Sequence, residues 1–346
     1  MNKIGLCLPG GGFKGSVQVG ALKAMLNYGK KPDMVTGTSV GALNGALIAM
    51  EKYDLLFSLW DEVGRTNGGI ITKAYLAELK EGDVSINLDK IEDVALAGIN
   101  FGDKLGLITK KGRNKFFKKV IENGKAIDKV MDNSPLLDLL TYHVKESDFK
   151  IPFYFTIVSL YDGSLYSVGH NSFYSDYDLA LAILASSTMP GVWAPIPKIR
   201  LKDGRYILDV VDGGLRASSP LPLLFQNITR EHDWTLFSIN PNTIKQMVNE
   251  EKKNLLTQAA ASINILLNEG LTRDVKMSQK INDWALAYPE FALAENIKYA
   301  HLYNIEIPMD EFGNSVLGKT LDPRAEWIEK RINLGYAEVE KYFKAA

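Results

Sequence analysis

The sequence predicts an α/β fold, a mostly parallel sheet covered by helices, from three observations. A short apolar run, a glycine-rich loop and a helix-like segment open the chain (KIGLCL, then GGGFKG, then SVQVGALKAMLNYG), and a strand–turn–helix pattern follows at once in DMVTG and TSVGALNGALIAM. Two later alternating segments turn at Asp-Gly pairs, as hairpins do. At 46% hydrophobic and 23% charged over 346 residues, the chain can bury a sizeable core.

In order, KIGLCL is a buried strand bounded by turn residues, and the first helix closes at Gly29. DMVTG is a second strand, and TSVGALNGALIAMEKYDLLFSLWDEV reads as one helix with small residues on its opening turns. Residues 64–148 read as mostly amphipathic helix with breaks, such as GRTNGG and EGD. KIPFYFTIVSLYDGSLYSVG is a hairpin turning at Asp162-Gly163, and DYDLALAILASSTMPGVW is a helix stopped by Pro190 and Gly191. KIRLKDGRYILDVVDGGL is a second hairpin, turning at Asp203-Gly204. DWTLFSINP is a late strand, and long helices at 250–283 and 323–344 flank a strand at 300–308. No repeat, low-complexity tract or linker interrupts this pattern. Residues 1–225 hold the motifs, and 226–346 add strands and helices expected to pack on the same domain.

A net charge of −1 gives the whole molecule no pull toward nucleic acid. The one cysteine, Cys7, forms no internal disulfide and no thiolate metal cluster, which fits a reducing compartment. The apolar run after Lys3 meets Pro9 too early for a signal peptide, and no stretch approaches the ~18 apolar residues of a membrane span. The expectation is a cytoplasmic protein.

Gly10-x-Gly12-x-x-Gly15 fits a dinucleotide-binding fingerprint, with Asp33 downstream. The ribose-binding acid of such a site sits at the carboxyl end of the second strand, whereas Asp33 precedes the apolar Met34-Val35 and lies at that strand's far end. Lys14 lies before the last glycine rather than after it, so the loop is not a P-loop either. The next motif accounts for the loop better. Gly37-Thr38-Ser39-Val40-Gly41 is G-x-S-x-G at a strand-to-helix junction, the context of a nucleophile elbow. A serine on so sharp a turn needs small neighbours two residues away. The helix that follows aims its N-terminal N–H groups where negative charge develops, and the Val40 N–H is the natural first oxyanion donor. The backbone of Gly10, Gly11 and Gly12 ends a neighbouring strand and would supply the second source of donors. Lys14 either adds positive charge or anchors the loop.

For a base, the four histidines have no motif context: His143 ends an amphipathic segment, His170 lies in a polar loop, His232 in REHDW and His301 in a late strand. His170 is the choice if a Ser-His-Asp triad exists. Asp212, in Val211-Asp212-Gly213-Gly214, is the better candidate, because it ends an apolar strand that has already come out of the Asp203-Gly204 turn.

These motifs together resemble the patatin-like phospholipase family. Gly10-Gly11-Gly12-x-Lys14-Gly15, Gly37-Thr38-Ser39-x-Gly41, Ala185-Ser186-Ser187-x-x-Pro190-Gly191 and Asp212-Gly213-Gly214 occur in the family's order over residues 1–225. The resemblance implies a three-layer α/β/α sandwich and a lipid acyl hydrolase with a Ser-Asp dyad and no histidine. Ser39 would be the nucleophile, Asp212 the base and the Gly10–Gly12 backbone the oxyanion hole, with no metal or organic cofactor. Two departures stand out: Lys14 replaces the commoner arginine and lacks its bidentate fork, and Ala217, Ser218 and Ser219 follow where many members have asparagine before a proline. Ser218 or Ser219 is the candidate replacement contact.

The implied substrate is a phospholipid or lysophospholipid. The stretch 104–119 carries Lys104, Lys110, Lys111, Arg113, Lys115, Lys118 and Lys119 around Phe116 and Phe117; it fits either transient contact with an anionic membrane surface or a solvated basic helix face. Leu136, Leu137, Leu139 and Leu140 line an acyl-chain groove or pack in the core. An acyltransferase on the same scaffold and a catalytically silent lipid-binding protein are the rival readings.

Overall fold

The structure, a computed structural model, describes residues 2–80, 83–87, 129–242, 255–310 and 315–344, with isolated positions between 90 and 123. Strands β1 (Lys3–Leu8) and β2 (Met34–Gly37) are followed by helices: α1 (Ser16–Asn27) after the glycine loop, and α2 (Val40–Ala49) and α3 (Tyr53–Arg65) after Ser39. Short strands β3 (Lys73–Ala74), β4 (Ala77–Lys80), β5 (Asp83–Ile86) and β6 (Met131–Asp132) lead to helix α4 (Ser134–His143). Then come β7 (Phe153–Ser159), β8 (Leu165–Gly169), α5 (Asp176–Ser186), β9 (Ile196–Arg200), β10 (Tyr206–Asp212), α6 (Leu221–Asn227) and β11 (Trp234–Asn240). Helices α7 (Leu255–Ala287) and α8 (Pro289–Ala294), strand β12 (His301–Glu306) and helix α9 (Ala325–Lys344) complete the chain.

The main sheet has the order β12-β11-β1-β2-β7-β10-β9, with β8 also on β7. The pairs from β12 through β7 are parallel, whereas β8, β9 and β10 pair antiparallel. Alternation along the strands divides the core between two faces. Leu6, Leu8, Val35, Phe237 and Ile239 point to the larger cluster, which takes in residues of α1, α2, α3, α5 and α9. Cys7, Met34, Trp234 and Leu236 point to a second cluster under α6, against which α7 packs. The result is a mostly parallel sheet with helices on both faces, the expected three-layer sandwich.

One feature of the topology places the site. β8 runs along one edge of β7 through residues 154–158, so the remaining edge is shared by β2, opposite Phe153–Phe155, and β10, opposite Ile157–Ser159. The two strands run in opposite directions and meet end to end, with Gly37 opposite Phe155 and Asp212 opposite Ile157.

Two sequence expectations need correction. The single long helix after Ser39 breaks at Met50–Lys52: Glu51 adopts φ 54, and the Lys52 side chain is drawn away to the His143 carbonyl (2.7 Å) and the Asp148 carboxylate (2.5 Å). The break comes from tertiary contacts, and no glycine or proline announces it. The stretch 64–148 is not all helical: β4 and β5 pair antiparallel about the EGD signal, and β3 pairs with β6. The basic stretch 104–119 lies outside the described residues except Lys115, Phe116, Lys118 and Lys119.

Candidate active site

The carboxyl ends of β1 and β2 deliver the two loops. Ser39 caps α2 with φ 57 and ψ −128, a left-handed backbone that a non-glycine residue holds only under constraint. The constraint is the close approach of α2 to β1: a Cβ on Gly41 would lie 1.8 Å from the Leu8 carbonyl oxygen, so only glycine lets the helix start this near the strand. The Ser39 N–H donates to Ser186 Oγ (3.0 Å), whose hydroxyl donates to the Thr156 carbonyl (2.8 Å). Thr38 and Thr156 share a 2.7 Å hydroxyl contact. Thr156, the β7 residue between those opposite Gly37 and Asp212, thus ties the elbow to the strand on which β10, with Asp212 at its end, also pairs.

Asp212 is 7% exposed and closes β10. Its Oδ1 accepts the Gly214 N–H at 2.7 Å, and a Cβ on Gly213 would meet the Thr156 carbonyl oxygen at 2.3 Å, which explains the glycine after the acid. Burial pushes the Asp212 pKa from 3.8 up to about 6; hydrogen bonds from the Ser39 side chain and the Gly214 amide oppose the rise. Neither serine of the LRASSPL text reaches the carboxylate. Ser218 donates to the Gly214 carbonyl (3.0 Å), and Ser219 lies against Cys7 Sγ (3.7 Å).

The glycine loop is wedged between these two strand ends and the end of β11. A Cβ on Gly10 would sit 3.0 Å from Ser39 Cβ, and one on Gly11 would collide with Pro241. The Gly10 N–H donates to the Ser218 carbonyl (3.2 Å), which removes it from the expected set of oxyanion donors. Among the described residues the N–H groups of Gly11, Gly12 and Val40 have no acceptor. Lys14 is fully buried behind the loop, its ammonium without a hydrogen-bond partner among the described residues; burial, aided by the nearby Arg331 charge, lowers its pKa to about 8. Gly15 takes α1 past Val40, whose Cγ2 a Cβ there would meet at 2.5 Å.

Ser39 and Asp212 open onto a cavity of ≈ 140 Å³. Three helices line it with the same spacing: Val40, Leu43, Asn44 and Leu47 from α2, Leu56, Leu59, Trp60 and Val63 from α3, and Leu136, Leu139, Leu140 and His143 from α4. Positions i, i+3, i+4 and i+7 form one face of a helix, so three apolar faces converge on the space. The buried polar group in this wall, Asn44, is satisfied by Trp60 Nε1 (2.8 Å), the Gly15 carbonyl (3.1 Å) and Gln18 (2.9 Å). Leu137 packs on the core instead of lining the cavity. His170 stacks on Phe149 (4.5 Å) and is not among the lining residues. His143 does line the cavity, a role its place at a helix end did not reveal. Among the described residues no cluster of His, Cys, Asp or Glu could hold a metal ion, and no helix is long and apolar enough to cross a membrane.

A family model described as patatin-like phospholipase matches residues 6–225, more than half of the chain. The neuropathy target esterase sws of Drosophila melanogaster is 51% identical over 51 residues, which are 15% of this chain and 4% of that protein. Patatin-like phospholipase domain-containing protein 7 of Mus musculus is 49% identical over 51 residues, with the same coverage. The match thus spans a small fraction of those relatives' length. Among solved structures, human GIVD cytosolic phospholipase A2 in complex with a fluorophosphonate inhibitor aligns with TM-score 0.42 and 11% identity, over 99% of this chain and 58% of that one. VipD from Legionella pneumophila aligns with TM-score 0.38 and 15% identity, over 99% and 67%.

Proposed function

The chain belongs to the patatin-like phospholipase family, and we propose that within it this protein is a serine acyl hydrolase that cleaves fatty acyl esters of phospholipids or lysophospholipids. The observation that carries this reading is the meeting of Ser39 and Asp212 in the wall of an apolar cavity.

Ser39 Oγ attacks the acyl carbonyl carbon while its proton passes to the Asp212 carboxylate, and the carbonyl electrons move onto oxygen. The N–H groups of Gly11, Gly12 and Val40 receive that oxyanion. Because they have no acceptor among the described residues, their hydrogen bonds are gained mainly as charge develops, each typically worth ~2.7–4 kcal/mol. Collapse expels the alcohol, which takes the proton from Asp212. Water then attacks the acyl-enzyme, gives its proton to Asp212, and the fatty acid leaves as Ser39 recovers that proton. The dyad needs no metal, and its base is kept near its working pH by burial, the effect that raises the Asp212 pKa.

The test is release of free fatty acid from mixed phospholipid vesicles in chelator by wild type, Ser39→Ala and Asp212→Asn. Release by wild type alone is the expected result. Full activity in Asp212→Asn would return the search for the base to His143 and His170, and loss of wild-type activity in chelator would refute the metal-free mechanism.

A further inference from the structure

Beyond the span matched by the family model, the chain returns to the glycine loop. Residues 317–322 have no regular secondary structure and lie directly against it. The Phe13 N–H donates to the Thr320 carbonyl (2.9 Å). A Cβ on Gly12, which sits at φ +54, would meet that same oxygen at 2.7 Å. Leu321 lines the cavity together with Phe13.

An irregular strap of this kind needs something to give it shape, and Arg331 of α9 does so. Its side chain is fully buried. Nε donates to the Leu317 carbonyl (2.8 Å), Nη2 to that of Lys319 (2.8 Å), and Nη1 to those of Asp322 (2.7 Å) and Phe13 (3.4 Å). One guanidinium therefore gathers three strap carbonyls and one from the loop. A rigid fork of donors suits that task as a flexible ammonium does not. The base of the fork is fixed by backbone contact between α9 and α1, the helix that begins where the glycine loop ends. A Cβ on Gly20 would lie 1.8 Å from the Ile332 carbonyl oxygen, and one on Gly335 would lie 2.0 Å from that of Val17. The far end of the strap is closed by Asp322, whose carboxylate accepts Arg324 Nε (2.9 Å) and Nη2 (2.7 Å).

The loop has a reason to need holding. Among the described residues the N–H groups of Gly11 and Gly12 lack acceptors, and unpaired backbone donors are costly, so an unsupported loop would turn them toward water or a carbonyl. We propose that Arg331 is a positioning residue: by fixing the strap 317–322 against the glycine loop, it keeps the Gly11 and Gly12 N–H groups aimed at the acyl carbonyl oxygen. This inference rests on the Ser39–Asp212 reading above.

The experiment compares wild type, Ser39→Ala, Arg331→Lys, Arg331→Met and Arg324→Ala on a p-nitrophenyl fatty ester, with rates normalised to folded protein by circular dichroism. Small displacements of positioning groups cost on the order of 10²-fold in rate. Arg331→Met should approach that loss in kcat with KM and the pH midpoint little changed. Arg331→Lys should recover part of the rate, and Arg324→Ala should lose less than Arg331→Met. Wild-type kcat in folded Arg331→Met, with only a lower Tm, would overturn the proposal. Should Arg331→Met fail to fold, Arg324→Ala decides, since its side chain is 40% exposed: reduced kcat at unchanged KM supports the proposal and full kcat overturns it. A dead Ser39→Ala beside unimpaired strap variants faults the positioning role alone, whereas wild-type turnover in Ser39→Ala faults the acyl hydrolase reading beneath it.

Discussion

At Asp212, folding and chemistry pull in opposite directions. On the proposed mechanism the carboxylate must be ionised to take the Ser39 proton, yet burial pushes its pKa up to about 6. On the proposed mechanism kcat/KM falls with the protonation of this one group, tenfold per pH unit below about 6, and is level above it; a pH–rate profile checks this. The stability effect has a definite sign. Because the folded-state pKa is raised above the unfolded value of 3.8, the fold favours the protonated acid. Ionised Asp212 therefore destabilises it by up to about 3 kcal/mol, fully above pH 6 and not at all below about pH 4. Asp212→Asn should raise the denaturation midpoint at pH 7.5 and leave it nearly unchanged at pH 3.5. The glycines around Ser39 and Asp212 were legible in the sequence because their cause is local, the steric need for a backbone with no side chain. Ser186 and Thr156, which hold the Ser39 amide and hydroxyl neighbour in place, were not read as supports, because strand pairing creates their role. The same holds for the Gly10 amide, which the Ser218 carbonyl claims from far along the chain.

At the scale of elements, α2 carries Ser39 at its start and lines the cavity along its length. From Ser39 to Leu47 the helix rises about 12 Å. An extended hydrocarbon with bonds of about 1.5 Å advances roughly 1.25 Å per carbon, so this distance holds about ten carbons. Leu47→Trp should fill the deep end. Against p-nitrophenyl esters of graded length, kcat/KM should fall at least about tenfold for decanoyl and longer chains while butyryl is nearly unaffected. The strands, the Asp-Gly hairpins and the late helices could be read from period and turn residues. The division of α2 from α3 could not, because Lys52 is drawn into it by His143 and Asp148, residues distant in sequence. The apolar faces of α3 and α4 were visible as faces, but a helical stripe looks the same whether it packs on a neighbour or borders a cavity.

For the whole molecule, the limits of the motifs are not the limits of the sheet. The family model ends at residue 225, while β11 pairs with β1 from Lys3↔Trp234 to Cys7↔Ser238 and α9 packs on α1. A chain ending at residue 225 would leave the β1 edge open and α1 uncovered, and it should appear as aggregate instead of a monomer on gel filtration. The end-to-end meeting of β2 and β10 on β7 also has a consequence in time. A chain leaves the ribosome from its N-terminus, so Ser39 emerges before Asp212, and Asp212 before β11 and Arg331. A half-made chain carries Ser39 without the proposed base and a glycine loop without its backing. On the proposed chemistry, the power to cut lipid is withheld until the stretch from the glycine loop to Arg331 has been made and folded.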